Sequence, residues 1–252
     1  MALSSAFAID LRLKRDAVPD FAAYPFSLPA VKHLDVLKFH PAVTFIVGEN
    51  GTGKSTLLEA IAVALGFNAE GGSRNFHFDT RASHSALHEY ITIAKGYRRP
   101  QDGFFLRAES FFNVATYIEQ LDEDAEGGPR VIKSYGGNSL HEQSHGESFM
   151  ALLTQRFRGQ GLYVLDEPEA ALSPQRQLAA LSRIHQLVKA GAQFIIATHS
   201  PILMAYPDAR IYACLPDGLR RTDYTDTEHY QVTHDFLTNP QRMLDVLLAD
   251  ED

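Results

Sequence analysis

The sequence predicts an α/β fold built on a mostly parallel, doubly wound sheet. Five segments have the composition of strands, and four of them are continuous apolar runs, typical of strands buried on both faces of a parallel sheet. Segments with helical spacing lie between them, so strand and helix alternate along the chain. The predicted strands are Val43–Val47, Gly103–Leu106, Leu162–Leu165, Phe194–Ala197 and Ile211–Cys214.

The remaining elements follow from local patterns. Apolar residues at helical spacing predict helices within 57–65, 149–157 and 178–188, and the apolar start of the chain predicts a first strand. Pro216-Asp217-Gly218 predicts a hairpin turn into a short strand near Arg221–Tyr224, which gives the fold a small antiparallel part. We expect residues 67–140 to form a helical or variable insertion with surface loops at 68–73 and 122–129.

Length and composition indicate a single domain, residues 1–252. A hydrophobic content of 45% and a charged content of 21% are ordinary for a soluble globular protein. No apolar run approaches the ~18 residues that span a bilayer, and the start of the chain lacks the basic segment of a signal peptide. Cys214 is the only cysteine. We therefore expect a cytoplasmic protein without membrane insertion.

The charge balance argues against a general attraction to polyanions. Asp and Glu number 31 against 23 Lys and Arg, which gives a net charge of −8. Short basic pairs such as Arg98-Arg99 are expected to be solvated surface. Nucleic acid stays open as a partner, without support from the net charge.

A complete G-x-x-x-x-G-K-[ST] phosphate loop lies between the first long apolar run and a predicted helix. Its backbone N–H groups would curl around a phosphate at a helix N-terminus, where unpaired donors and the helix dipole favour anions. Lys54 would reach the β- and γ-phosphates, and Ser55 would place its hydroxyl on Mg²⁺. The candidate nucleotide-binding residues are Gly48, Glu49, Asn50, Gly51, Thr52, Gly53, Lys54, Ser55 and Thr56.

A second motif joins an apolar strand to two acidic residues, Asp166 and Glu167. The first carboxylate is expected beside the phosphate-loop strand, where it can hold Mg²⁺ through water. The second projects past the strand end, where it can orient the attacking water or accept its proton. Adjacent carboxylates with these roles are typical of hydrolysis rather than transfer to an alcohol.

Two further segments complete the predicted site. His199 follows an apolar strand and lies where sheets of this kind bind ligands, so it is a candidate sensor of the γ-phosphate. Ser144, with Glu147 three residues later, precedes a predicted helix and forms the pattern of a capping box. The same geometry presents a hydroxyl and helix-start N–H groups that can bind a phosphate.

The order and spacing of these motifs resemble the ABC ATPase superfamily. Ser144-His145-Gly146-Glu147 resembles its Ser-Gly-Gly-Gln or Ser-Gly-Gly-Glu signature, with His in place of one Gly. Within the superfamily, the chain is most similar to small, single-domain bacterial proteins called predicted or "AAA family" ATPases. Their Glu-Pro-Glu-x-x-Leu-x-Pro pattern is present from Glu167 to Pro174.

The resemblance implies a soluble, Mg-dependent ATPase with ATP and Mg²⁺ as cofactors. In this superfamily two units pack head to tail, so Ser144, Gly146 and Glu147 of one copy would contact the nucleotide held by the other. ATP would then drive formation of a homodimer that hydrolysis reverses. Lys54, Glu167 and His199 are the expected catalytic residues, and Ser55 and Asp166 the expected Mg²⁺ ligands. Such a protein acts as a nucleotide switch on a protein partner that the sequence does not identify.

Some expected residues depart from the family pattern. Ser173 replaces the Asp of the D-loop, the segment after the acidic pair. The Q-loop glutamine, expected after the strand Gly103–Leu106, has no clear equivalent, and Glu109 or Ser110 is the candidate substitute. Tyr24 or Phe26 is the candidate for stacking on adenine, with core packing as the alternative.

Two other functions stay open. One is a DNA-repair or phage-defence ATPase that acts with a nuclease partner; the other, less favoured because the Q-loop glutamine is missing, is the ATP-binding subunit of an ABC transporter. ATPases of the structural-maintenance-of-chromosomes (SMC) type carry very long coiled coils between phosphate loop and signature. Here about 90 residues separate the two motifs, too few for such an arm.

Overall fold

The computed structural model describes residues 5–73, 85–107, 116–117 and 144–249. Its strands, in chain order, are β1 (Ala8–Leu13), β2 (Val36–Lys38), β3 (Val43–Val47), β4 (Ile91–Lys95), β5 (Asp102–Arg107), β6 (Gly161–Asp166), β7 (Gln193–Ala197), β8 (Arg210–Leu215) and β9 (Gly218–Thr222). The α-helices of these residues are α1 (Pro29–Lys32), α2 (Lys54–Ala64), α3 (His145–Ala151), α4 (Pro174–Lys189), α5 (Pro201–Met204), α6 (Glu228–Thr238) and α7 (Pro240–Leu247). The α/β class is confirmed, and each of the five predicted strands lies within one residue of its predicted bounds.

A six-stranded sheet forms the centre of the molecule, in the order β5-β6-β7-β3-β8-β9. All neighbouring strands are parallel except β8 and β9, which pair antiparallel. Strand β7 lies between β3 and β6, so the strand that ends at Asp166 does not pair with the phosphate-loop strand. The carboxyl ends of β3, β6 and β7 nevertheless meet at one edge of the sheet, where α/β proteins bind ligands.

Both faces of this sheet are covered, as a doubly wound fold requires. Alternate side chains of each strand enter one of two apolar cores, so Phe45 and Tyr163 pack on one side while Ile46 and Val164 pack on the other. Helices α3, α4 and α5 contribute to the first core. Helix α2 and a three-stranded antiparallel sheet, in the order β2-β1-β4, contribute to the second.

Gln193 ties the small sheet to the large one. Its side-chain amide donates to the carbonyl oxygens of Ala8 and His40 at 2.8 and 2.9 Å. Its Oε1 accepts from the backbone N–H groups of Phe7 and Ala8, both at 2.9 Å. All four hydrogen-bonding positions of this buried amide are therefore satisfied, which explains a Gln in an otherwise apolar strand.

Several local predictions need correction. The hairpin turn is shorter than expected, because Gly218 already pairs with Leu215, so the last strand is Gly218–Thr222 rather than a segment near Arg221–Tyr224. The loop at 68–73 is not wholly at the surface, since Gly72 is buried and exchanges two backbone hydrogen bonds with Phe105, at 2.8 and 2.9 Å. Of the helical character expected for 67–140, the described residues contain a 3-10 helix at Ala86–Tyr90 and the helical pair 116–117, and the expected loop at 122–129 lies outside those residues.

The two C-terminal helices bury little of their surface. Neither α6 nor α7 has a buried residue, and α7 exposes Val246 and Leu247. In the described part of the chain, no helix combines the length and apolarity needed to cross a bilayer.

Candidate functional site

The phosphate loop connects the buried strand β3 to α2, as its sequence predicts. Gly48 has φ 144°, and a Cβ there would lie 2.8 Å from the Cys214 carbonyl oxygen. Gly53 has φ 94°, and a Cβ there would lie 2.9 Å from the Leu28 side chain. Both positions therefore exclude a side chain, and the loop can wind tightly enough to aim its N–H groups at one point.

Lys54 is the first residue of α2 and is only 4% exposed. Its ammonium group donates to the Glu49 carbonyl oxygen at 2.7 Å, across the loop. Burial lowers the pKa of Lys54, and the nearby carboxylates, Glu167 first among them, oppose that shift. The site thus holds a desolvated cation at a helix N-terminus, an arrangement that attracts a polyphosphate.

Ser55 and Asp166 meet at the base of the loop. The Ser55 hydroxyl donates to Asp166 Oδ1 at 3.1 Å, and Asp166 is buried at the end of β6. Hydroxyl and carboxylate oxygens are hard donors of the kind Mg²⁺ prefers, and Mg²⁺ usually combines one or two carboxylates with phosphate oxygens and water. This pair fits that ion, whereas the described residues contain no group of three His, Cys, Asp or Glu side chains that would form an all-protein cage.

Glu167 and His199 face each other beside this pair. The Nε2 atom of His199 lies 3.3 Å from Glu167 Oε1 but makes no hydrogen bond within the described structure. Glu167 has φ 49°, in the left-handed region, and its N–H donates to the Ala197 carbonyl oxygen of β7 at 2.9 Å. The backbone turn that this conformation makes sends the Glu167 side chain off the strand line, toward His199.

Comparisons with known proteins identify the family of this chain. The family model described as an AAA domain matches residues 21–162, more than half of the chain. The chain belongs to the AAA domain family. Its phosphate loop between a buried strand and a helix is that of a P-loop NTPase, and its family is one of ATPases.

The AAA-domain protein also resembles solved structures distantly. An SMC head domain from Thermotoga maritima matches with 17% identity and a TM-score of 0.43, covering 86% of this chain and 98% of that one. The structure of cbiO1 from Clostridium perfringens, part of the ABC transporter complex cbiONQ, matches with 18% identity and a TM-score of 0.44, covering 83% and 89%. These similarities are too distant to assign a function to this chain. A comparison with curated proteins finds no match.

In this AAA-domain protein Ser144 caps the start of α3 and forms the predicted capping box. Its hydroxyl accepts from the Glu147 N–H at 3.3 Å and donates to Glu147 Oε2 at 2.7 Å, while its own N–H donates to the same carboxylate at 3.0 Å. These hydrogen bonds lower the pKa of Glu147, and Arg176 lies 3.4 Å from its other oxygen. Ser144 and Glu147 are exposed, and within the described structure no hydrogen bond joins them to the chain's own phosphate loop.

The absence of a side chain at Gly146 allows this segment to pack closely against the one that follows β6. A Cβ on Gly146 would lie 2.6 Å from the Ala171 carbonyl oxygen and 2.7 Å from the Arg176 guanidinium. Ser173, the residue at the D-loop Asp position, instead caps α4 by accepting from the Arg176 N–H at 3.3 Å. The signature-like segment therefore rests directly on the loop that follows Glu167.

Two residues that contact His199 were missed by sequence reasoning. The Glu169 Oε1 accepts from the His199 N–H at 2.6 Å, and burial raises the pKa of Glu169. The Nε2 atom of His229, on α6, lies 3.0 Å from the His199 Nδ1 atom. Glu169 belongs to the Glu-Pro-Glu pattern, which could have identified it, whereas no local sequence pattern points to His229.

The remaining candidates are packed in the core, exposed, or outside the described residues. Arg107, at the end of β5 next to Asp166, pairs with Glu59 of α2 at 2.6 Å, while Glu109 and Ser110 fall outside the described residues. Phe26 is buried edge-on against Tyr90, as the core-packing alternative predicts, and Tyr24 is 65% exposed.

Proposed function

We propose that this protein is a cytoplasmic, Mg-dependent ATPase that works as a nucleotide switch, binding ATP between two copies packed head to tail and acting on a protein partner. The observation that carries the proposal is the meeting of two pairs, Ser55 with Asp166 and Glu167 with His199, beside one phosphate loop. The first pair supplies oxygens for Mg²⁺, and the second supplies a base and a hydrogen-bond donor.

In this proposal each group of the site has a separate role. The loop N–H groups and Lys54 hold the phosphates, and Ser55 and Asp166 hold Mg²⁺, which when bound neutralises charge on the phosphates. Glu167 orients the attacking water and accepts its proton. His199 donates a hydrogen bond from its buried Nε2–H to the γ-phosphate, so this hydrogen bond forms only when that phosphate is present.

The head-to-tail arrangement is supported by the position of Ser144. Ser144 is exposed, and among the described residues its hydroxyl makes no hydrogen bond to the loop of the same chain. A helix start of this kind accepts a phosphate readily when the phosphate comes from outside. Closure also requires the exposed Glu147 carboxylate to move aside, and Arg176 is close enough to receive it.

Hydrolysis by purified protein tests the enzymatic part. Wild-type protein should release phosphate from ATP only with Mg²⁺, and Glu167→Gln should bind ATP with unchanged affinity while losing about a thousandfold in kcat, the size of effect expected for removal of a general base. The exposed Glu89→Gln variant is the matched control and should keep wild-type activity. Wild-type activity in Glu167→Gln would overturn the assignment.

A further inference from the structure

The helix α6 returns from the C-terminal part of the chain to the end of β7. Thr227 caps its start, and the His229 ring then reaches the His199 ring with centroids 5.2 Å apart. The close atoms are Nδ1 of His199 and Nε2 of His229, 3.0 Å apart, which is a hydrogen-bond distance. One of these two nitrogens must therefore carry a proton and the other a lone pair.

The other side of His199 decides which nitrogen is the donor. Its Nε2 atom lies 3.3 Å from a carboxylate oxygen of Glu167, and a carboxylate only accepts hydrogen bonds. A lone pair on that Nε2 would face the lone pairs of the carboxylate, whereas a proton there is attracted. In a neutral His199 the proton is therefore on Nε2, and Nδ1 accepts from His229 Nε2–H.

We propose that His229 is a positioning residue that holds His199 in the tautomer with its proton on Nε2. This inference rests on the proposed role of His199 toward the γ-phosphate, because that role needs a donor at Nε2. His229 touches neither phosphate nor water in this scheme and acts only through the neighbouring ring. It also makes α6, and through it the C-terminal end of the fold, part of the nucleotide site.

Burial favours the neutral form of both rings, and only a neutral ring has a choice of tautomer. It lowers the pKa of His199, with Lys54 adding to the effect and Glu167 opposing it. Burial likewise lowers the pKa of His229. Each neutral ring carries one proton, so the donor on one ring fixes the proton position on the other.

Nuclear magnetic resonance of protein with ¹⁵N-labelled histidines tests the proposal without nucleotide. We expect His199 to carry its proton on Nε2 in the wild type and in His229→Gln, whose side-chain amide can still donate. His229→Phe, which keeps a ring but no donor, should give a mixture of tautomers. His234→Phe, on an exposed part of the same helix, is the matched control and should leave His199 unchanged.

Two results would overturn the proposal. One is a wild-type His199 protonated on Nδ1, which decides the matter even where variants fail to fold. The other is an Nε2 proton that persists at full occupancy in His229→Phe. Absence of ATPase activity in the wild type would instead contradict the proposed function and leave the tautomer result standing.

Kinetics supply the second measurement. His229→Phe should lose about tenfold in kcat, as expected for loss of one hydrogen bond that orients a reacting group, with KM changed less than about twofold. His229→Gln should recover most of that loss. Equal losses in both variants would mean that His229 acts through packing, which contradicts a positioning role.

Discussion

Glu167 combines a proposed catalytic role with an unfavourable backbone conformation, so removing its side chain and relaxing its backbone have separable effects. Its φ of 49° places a non-glycine residue in the left-handed region, which costs about 1 to 2 kcal/mol. Glycine avoids this cost but loses about 0.5 to 1 kcal/mol through its greater freedom in the unfolded chain. The two contributions leave Glu167→Gly about 1 kcal/mol more stable than Glu167→Ala.

Thermal unfolding of the two variants measures this difference. Neither has a carboxylate and neither should hydrolyse ATP, so they differ only in backbone freedom, and a difference of about 1 kcal/mol should raise Tm by about 3 °C in a chain of this size. The control pair is Ser182→Gly and Ser182→Ala, at an exposed position inside α4. There the order should reverse, because glycine disfavours a helix interior by about 1 kcal/mol. If Glu167→Ala were as stable as Glu167→Gly, the argument that this residue is held in a strained turn would be refuted.

Three further outcomes follow from the contacts. Gly146→Ala should abolish ATP-dependent dimer formation but not ATP binding, because its Cβ would press on the Ala171 carbonyl at 2.6 Å and displace the start of α3. Light scattering measures dimer formation and titration with a fluorescent nucleotide measures binding. A variant that still forms the dimer would contradict this packing. Gln193→Leu should lower the free energy of unfolding in urea by about 4 kcal/mol, since it removes four hydrogen bonds to buried backbone groups; a loss below 1 kcal/mol would show that water reaches them. The pKa of His199 is lowered in the folded protein, so below about pH 6.5 the unfolded chain binds this proton more readily and stability should fall as pH drops below that value. Tm between pH 8 and 5 should fall less steeply in His199→Phe, and parallel curves would contradict the lowered pKa.

The parts of this protein that could be predicted are those determined by short local sequence patterns. The strand β3, its loop and α2 are specified within about twenty consecutive residues by apolar burial, glycine spacing and a helix start. The capping box at Ser144 is equally local and forms as expected. The end of β6 with Asp166 and Glu167 follows from an apolar run that meets two carboxylates.

Strand order is the main feature that the local pattern does not contain. The insertion of β7 between β3 and β6 depends on how the connections between parallel strands pack, and the sequence of neither neighbouring strand indicates it. The same holds for Gln193, whose four partners belong to segments more than 150 residues away along the chain. The contact between His199 and His229 arises because α6 folds back over the sheet edge, thirty residues after the strand it meets. Such pairings become visible only in three dimensions.

The trans role of Ser144 is the central claim, and mixing two inactive chains tests it most directly. Lys54→Ala removes the phosphate contact of a loop, and Ser144→Ala removes the hydroxyl offered to the other copy's loop, so each protein alone should be inactive. In an equimolar mixture, random pairing gives dimers in which one of two sites is intact, and we expect about a quarter of wild-type ATPase activity. Mixed protein that stays as inactive as its components, under conditions where the wild type turns over ATP, would contradict a site shared between two copies.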